Sequence, residues 1–502
     1  MDSKFVDAVR AAFPAGEGSL ALGAPILNGE CHPEPVVALP LAMMNRHGLI
    51  AGATGTGKTK TLQLLAEQLS AAGVPVFLAD IKGDVSGIGA PGESNDRVIQ
   101  RARETGWTWK AAACPVEFLS LTGARGAQVR ATVSSFGPLL LAKVLGLNET
   151  QTSVLSVVFK YCDDRQLELL NFADLRAALQ HLSGPGAADL ASYGGMSKAT
   201  VGVLLREMVE LEQQGALAFF GEPELELADL MQNERDGRGL VTVLELADVQ
   251  DKPALFSTFM MWMLARLYHE LPEVGDVEKP KLVFFFDEAH LLFHGAGKAF
   301  LDEVQQVVRL IRSKGVGIFF VTQNPKDVPA EVLGQLGHKV QHALRAFTPD
   351  DATALKAAAR TFPKTPFYDV EQTLQSLGIG EAFVTSLAAN GVPTPPFATR
   401  VVPPASRMGP LTDAEMQQRL SSSAQVRKYA TAVDRVSAAE KLAPRPDAAP
   451  APTASAHANA APSPIEEILR SPVTRVVATT VAAALTRGLM GALMGSPRRR
   501  RY

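Results

Sequence analysis

The chain has 502 residues, of which 46% are hydrophobic and 20% charged. That length excludes one small domain, and that balance excludes a chain too polar to bury a core. The formal net charge of −3 excludes a globally basic nucleic-acid binder, though not basic residues gathered in the channel of an assembly.

The cysteines are Cys31, Cys114 and Cys162. They are far apart and match no metal-ligand spacing, so they read as reduced thiols in a cytoplasmic protein. Residues 1–20 carry charges throughout and hold no uninterrupted apolar stretch, so no secretory signal is expected.

Residues 1–45 read as an N-terminal β segment of short strands and turns punctuated by Gly and Pro. From residue 46 the pattern becomes apolar run, Gly-rich loop, helix, apolar run. The runs are Gly48–Ala51 and Val74–Asp80, with a helix expected over Lys58–Ala72. This is a βαβ unit, which implies an α/β fold with a mostly parallel sheet. The first part of that core is assigned to 46–120. Residues 121–235 are dominated by amphipathic helical patterns, at Thr150–Tyr161, Phe172–Leu182 and Lys198–Gln213, and read as a helical insertion.

The core resumes over 236–402. Strands are expected at Leu240–Leu246, Leu282–Phe286 and Val316–Thr322, then at Lys339–Leu344 and Glu381–Leu387. A helix is expected over Lys298–Ser313. Residues 403–442 form a C-terminal extension. Residues 443–464, nearly all Ala, Pro, Ser and Thr, read as a disordered linker. A terminal helix and an arginine tail, Arg498–Arg501, complete 465–502. The stretch Val476–Gly495 has Arg487 as its single charge. An arginine at a span centre costs about 2.5–3.5 kcal/mol, so integral membrane insertion is not expected. Packing on protein and a peripheral contact both stay open.

Gly52-Ala53-Thr54-Gly55-Thr56-Gly57-Lys58-Thr59 fits G-x-x-x-x-G-K-[ST] at every fixed position. Gly52, Gly55 and Gly57 let the loop turn its N–H groups inward, with those of Thr54 and Thr56, around phosphates. The helix N-terminus behind them favours negative charge. Lys58 would reach the β and γ oxygens of ATP, and the Thr59 hydroxyl would ligate Mg²⁺.

A metal-bound nucleotide needs a carboxylate at the end of a nearby strand. Asp287 follows Leu282–Phe286 and is expected to bind Mg²⁺, directly or through water. Glu288 follows at once and is expected to act as the general base toward water. The bland alternative is a helix cap beside a solvated Glu. Asn324-Pro325-Lys326-Asp327 is not N-K-x-D and reads as a turn, which argues against guanine specificity. Gln323, at the end of the third strand, is placed to contact the γ-phosphate or the lytic water; a capping amide is the plain alternative. Arginines available to stabilise transition-state charge are Arg46, Arg309, Arg312 and Arg345. Arg46 precedes the first core strand and so lies across the sheet from its own phosphate loop, where it can serve a neighbouring subunit. Arg312 ends the helix before the third strand.

Together these segments resemble the HerA/FtsK superfamily of hexameric ATPases, and within it the HerA-like bacterial branch. The residues that carry the likeness are Arg46–Thr59, Asp80–Gly87, Phe286–His290, Arg312–Gly317, Thr322–Pro325 and His342–Pro349. The likeness covers most of residues 20–440. It implies a RecA-like P-loop core, a homohexameric ring, ATP and Mg²⁺ as cofactors, and ATP-driven movement of double-stranded DNA through the pore. It also implies Glu288 as catalytic base, Gln323 as sensor, Arg46 as a finger acting in trans and Arg312 as a second sensor. Lys82 and Lys298 are the residues offered as pore contacts. The N-terminal segment is shorter than the barrel of archaeal members. A second reading is a nucleotide-gated assembly or scaffold ATPase acting on a protein partner, at a membrane surface through 465–502. A metabolic kinase, with the helical insertion as a lid, fits less well because no small-molecule site is recognisable.

Overall fold

The computed structural model describes residues 3–443, apart from 15, 17, 276, 294–296 and 389. The expected linker beyond residue 443, the terminal helix and the arginine tail lie outside the described residues.

Thirteen strands form one sheet among the described residues. They are β1 (Ser19–Leu27), β2 (Glu30–Cys31), β3 (Val37–Pro40), β4 (Gly48–Ala51), β5 (Val76–Asp80), β6 (Val116–Ser120) and β7 (Ala127–Gln128), followed by β8 (Val241–Glu245), β9 (Leu282–Phe286), β10 (Val316–Thr322), β11 (His338–His342), β12 (Glu381–Thr385) and β13 (Phe397–Val401). Their order is β2-β1-β13-β12-β11-β4-β10-β9-β5-β8-β6-β7, with β3 also on β1. From β11 to β7 every neighbouring pair is parallel. Beyond β11 the pairing turns antiparallel.

The parallel strands are covered on both faces, which is why they read as unbroken apolar runs. Along β9 the side chains alternate. Phe284 and Phe286 join the hydrophobic cluster that includes Phe259 and Trp262 of the helix Pro253–Glu270. Val283 and Phe285 join the opposite cluster, with Leu62, Leu65 and Leu69 of the helix Lys58–Ala71. The strand period of two thus builds two cores from one five-residue segment. Phe77 on β5 packs into the first of these, its ring tilted and 4.9 Å from that of Phe284.

The helical stretch 121–235 packs into the same cluster as β9 and the helix Pro253–Glu270. Its helices include Glu149–Asp164, Phe172–Ser183 and Lys198–Gln213. The Trp262 indole N–H donates to Ser135 Oγ at 3.1 Å, tying the sheet-covering helix to that stretch. The C-terminal extension folds back onto it. Arg130 donates to the Tyr429 carbonyl at 2.9 Å, and the Ser437 hydroxyl bonds Asp174.

Two differences from expectation stand out. The N-terminal segment opens with a helix, Ser3–Ala12, which buries Phe5, Val6 and Val9. The helix expected over Lys298–Ser313 ends at Leu310 and tightens into a 3₁₀ turn, Ile311–Lys314, before Gly315 closes it in the left-handed region at φ 76°.

Candidate nucleotide site

The loop Gly52–Thr59 connects the carboxyl end of β4 to the helix Lys58–Ala71. It is strapped down from three sides. Gly52 N donates to Thr322 O at 3.3 Å, Ala53 N to Ala343 O at 2.9 Å, and Gly380 N to Thr56 O at 2.9 Å. Gly52 has φ 152°, and a Cβ added there would come within 2.5 Å of His342 Cβ. A glycine is therefore required by both space and backbone. Lys58 Nζ donates to Gly52 O at 2.8 Å and Ala53 O at 3.2 Å, so it lies across the loop's mouth. Burial lowers its pKa, against the pull of Glu288 and Asp287.

Asp287 and Glu288 follow β9, two strands across from β4 with β10 between. The register sets Phe286 beside Phe320 and Phe320 beside Leu49, so the acidic pair is level with the root of the loop. Both side chains are buried. Asp287 Oδ1 accepts from Glu288 N at 2.9 Å, whereas Oδ2 has no hydrogen-bond partner. Burial pushes the Asp287 carboxyl up to about 7, with the charges of Glu288, Asp80 and Asp84 adding to the shift. Such a carboxylate is ready for a cation. Glu288 sits at φ 47°, in the left-handed region that few non-Gly residues occupy.

Sequence reasoning missed what surrounds Glu288. Its Oε1 is paired to Lys82 Nζ, and its Oε2 lies 3.1 Å from His290 Nδ1, without hydrogen-bond alignment. Burial raises the Glu288 carboxyl, but Lys82 and His290 together bring it below its ordinary value. Asp80, at the end of β5, accepts from Gly83 N and Val85 N at 2.8 Å each and so shapes the turn that carries Lys82. Burial lifts Asp80 to about 6. Glu245, at the end of neighbouring β8, is fully buried and pushed to about 7 by that burial and then by Asp80. Only the motif Asp80–Gly87, after an apolar strand, pointed to this wall in the sequence.

Behind the loop, His342 is fully buried. Its Nε2 is 2.9 Å from Thr61 Oγ1 and its Nδ1 3.0 Å from Glu381 O.

The remaining predicted residues divide. Thr59 is half-buried at the start of its helix, and Gln323 is exposed one residue past β10, at the same sheet edge as the loop. Asn324–Asp327 forms a capped turn, with the Thr322 hydroxyl donating to Asp327 at 2.8 Å. Arg46 and Arg312 are not at the loop. They flank His47 at the opposite edge of the sheet, before β4 and β10. The length of β10 puts them about 20 Å from the loop. A second-sensor role for Arg312 within its own site is therefore not assembled in one chain. Arg345 donates to Gln375 O and Leu377 O, and Arg309 is exposed on the helix Lys298–Leu310.

A phosphate loop at the carboxyl end of a parallel strand, with an acidic pair two strands away, defines a P-loop ATPase fold of the RecA-like kind. The family model described as "Helicase HerA-like C-terminal" matches residues 27–463, and the chain belongs to that HerA-like family of the HerA/FtsK type. The "Probable helicase MJECL08" of Methanocaldococcus jannaschii is 29% identical over 154 residues, which are 29% of this chain and 28% of that protein. The match thus spans under a third of the relative's length. Among solved structures, the bacterial conjugative coupling protein TrwBdeltaN70 superposes with a TM-score of 0.50 at 13% identity, covering 80% of this chain and 92% of that one. VirB4 of Thermoanaerobacter pseudethanolicus gives 0.48 at 14% identity, covering 80% and 99%. The likeness to TrwBdeltaN70 speaks to fold alone. Among the described residues no helix is long and apolar enough to cross a membrane.

Proposed function

We propose that the chain binds ATP with Mg²⁺, hydrolyses it, and couples hydrolysis to movement of double-stranded DNA as a homohexameric ring in the cytoplasm. The observation that carries the hydrolytic reading is the meeting of Lys58, Asp287 and Glu288 at one sheet edge. Among the described residues no group of three His, Cys, Asp or Glu side chains could hold a metal ion by itself. The Thr59 hydroxyl and the unpartnered Asp287 Oδ2 would hold a cation that comes with the nucleotide. When bound, Mg²⁺ would offset charge on the transferred phosphoryl group.

The chain's own residues supply the rest. The N–H groups of Gly52, Ala53 and Thr56 bond backbone carbonyls, so those of Thr54, Gly55, Gly57 and Lys58 hold the phosphates, and Lys58 exchanges its two loop carbonyls for phosphate oxygens. Glu288 accepts a proton from a water whose oxygen attacks the γ-phosphorus, and ADP leaves with the bridging oxygen. Gln323 orients that water from β10.

Two of the arginines predicted for the γ-phosphate lie away from the loop of their own chain. Arg46 and Arg312 share the opposite edge, the position from which a neighbouring subunit's site is reached in a head-to-tail ring. This placement supports the ring reading. DNA as the track rests on the family alone. The net charge of −3 gives DNA no support of its own, so gating of a protein partner stands as the second reading. ATP-dependent displacement of a triplex-forming oligonucleotide from linear duplex DNA tests the motor. Displacement that fails while hydrolysis persists favours the protein-partner reading.

A further inference from the structure

The turn after β5 delivers a cation to the wrong place for a passive surface lysine. Asp80 fixes the turn through two backbone bonds, and Gly83 takes φ 73° to let it close. Gln250 Nε2 donates to the Ile81 carbonyl at 2.5 Å. From this rigid base the Lys82 stem, 45% exposed, reaches inward to a Glu288 side chain that is 4% exposed. Lys82 is also close enough for its charge to act on Lys58, Asp287 and Asp84. Two lysines and the acidic pair therefore share one small volume at the phosphate end of the loop.

A glutamate held by an ammonium is a poor acceptor for a water proton, because the ion pair stabilises the carboxylate it would have to give up. The pair must part before Glu288 can act. Any partner that takes Lys82 away must be an anion placed near Lys58 and Glu288. The γ-phosphate of a triphosphate is that anion; a diphosphate places no charge there. Lysine suits the exchange, since its compact charge moves on a flexible stem.

We propose that Lys82 is a γ-phosphate ligand that is stored on Glu288 in the nucleotide-free chain. When ATP enters, the ammonium changes partner from Glu288 Oε1 to a γ-phosphate oxygen, with no proton moved. Glu288 is thereby freed only when a third phosphate is present. After hydrolysis and phosphate release, Lys82 returns to Glu288. This inference rests on the nucleotide reading above and adds to it a residue that separates ATP from ADP. It also takes Lys82 out of the set of pore contacts.

The test uses the full chain and measures Mg²⁺-dependent binding of ADP and of a non-hydrolysable ATP analogue, with single-turnover hydrolysis of ATP. Lys82→Met should leave the ADP affinity within about twofold, weaken the analogue about tenfold, and slow hydrolysis. Lys82→Arg should restore much of the preference for the analogue. Lys82→Met that speeds hydrolysis with unchanged analogue affinity would overturn the proposal, making the pair a simple brake. Equal weakening of both nucleotides would also overturn it, since Lys82 would then only shape the loop. Circular dichroism of the variants checks folding, which an exposed stem should not disturb. Wild-type protein that binds neither nucleotide sinks the nucleotide reading itself, before any variant is compared.

Discussion

His342 lies directly behind the phosphate loop, with its Nε2 2.9 Å from the Thr61 hydroxyl and its Nδ1 3.0 Å from the Glu381 carbonyl. The ring spans β11, the helix after the loop and the start of β12. Thr61 is a polar residue with no exposure, so its hydroxyl depends on this partner. His342→Ala removes the ring and leaves Thr61 without it. A loss of about 2–4 kcal/mol is expected, from the cavity and the orphaned hydroxyl together. Urea unfolding measures it, and nucleotide affinity should fall in parallel because the loop's backing is gone. A variant as stable as wild type would show that the contact does not support the loop.

Gly52→Ala should abolish nucleotide binding while leaving a folded chain. The added methyl meets His342 Cβ at 2.5 Å, and φ 152° suits no side chain. Isothermal titration with ATP reads this directly; normal affinity would mean the loop has another conformation when loaded.

Asp287→Asn should stabilise the nucleotide-free chain at pH 8. The folded carboxyl is raised to about 7 by burial first, then by neighbouring carboxylates. A raised value favours the neutral form in the folded state. The stability this group contributes is full below its ordinary pKa near 4 and is lost as pH rises through about 7. Asparagine never ionises, so its advantage over wild type should grow from pH 4 to pH 7 and then level off, at about 4 kcal/mol. Buried histidines titrate in both proteins and cancel from the difference. Urea midpoints without Mg²⁺ at pH 5 and pH 8 supply the comparison. Equal midpoints at pH 8 would mean Asp287 is not held in a costly environment.

Arg46→Ala and Glu288→Gln chains, each inactive alone, should regain part of the ATPase when mixed. In a mixed ring some interfaces join an intact Arg46 to an intact Glu288. Silence at every mixing ratio would place Arg46 outside the neighbour's site.

Much of this was legible because it is local. The phosphate loop is a fixed spacing, and β9 and β10 are apolar runs bounded by Lys281, Asp287 and Gly315. Even the distance of Arg46 from the loop followed from its place before β4. What was not legible depends on pairing across long separations. The strand Ser19–Leu27 joins the sheet through Gly23 beside Val401, which no local pattern signals. Lys82 and Glu288 are 206 residues apart, and Thr61 and His342 are 281. The helix Ser3–Ala12 did carry a signal, Phe5 and Val9 on one face, but the Gly and Pro punctuation that follows outweighed it.

The most direct test of the central claim is the steady-state ATPase rate with and without linear duplex DNA, for wild type and Glu288→Gln. The account predicts a wild-type rate that rises with DNA and a variant rate near zero in both conditions. A wild-type rate indifferent to duplex, single-stranded and forked DNA would contradict the motor, and a Glu288→Gln rate equal to wild type would contradict the site.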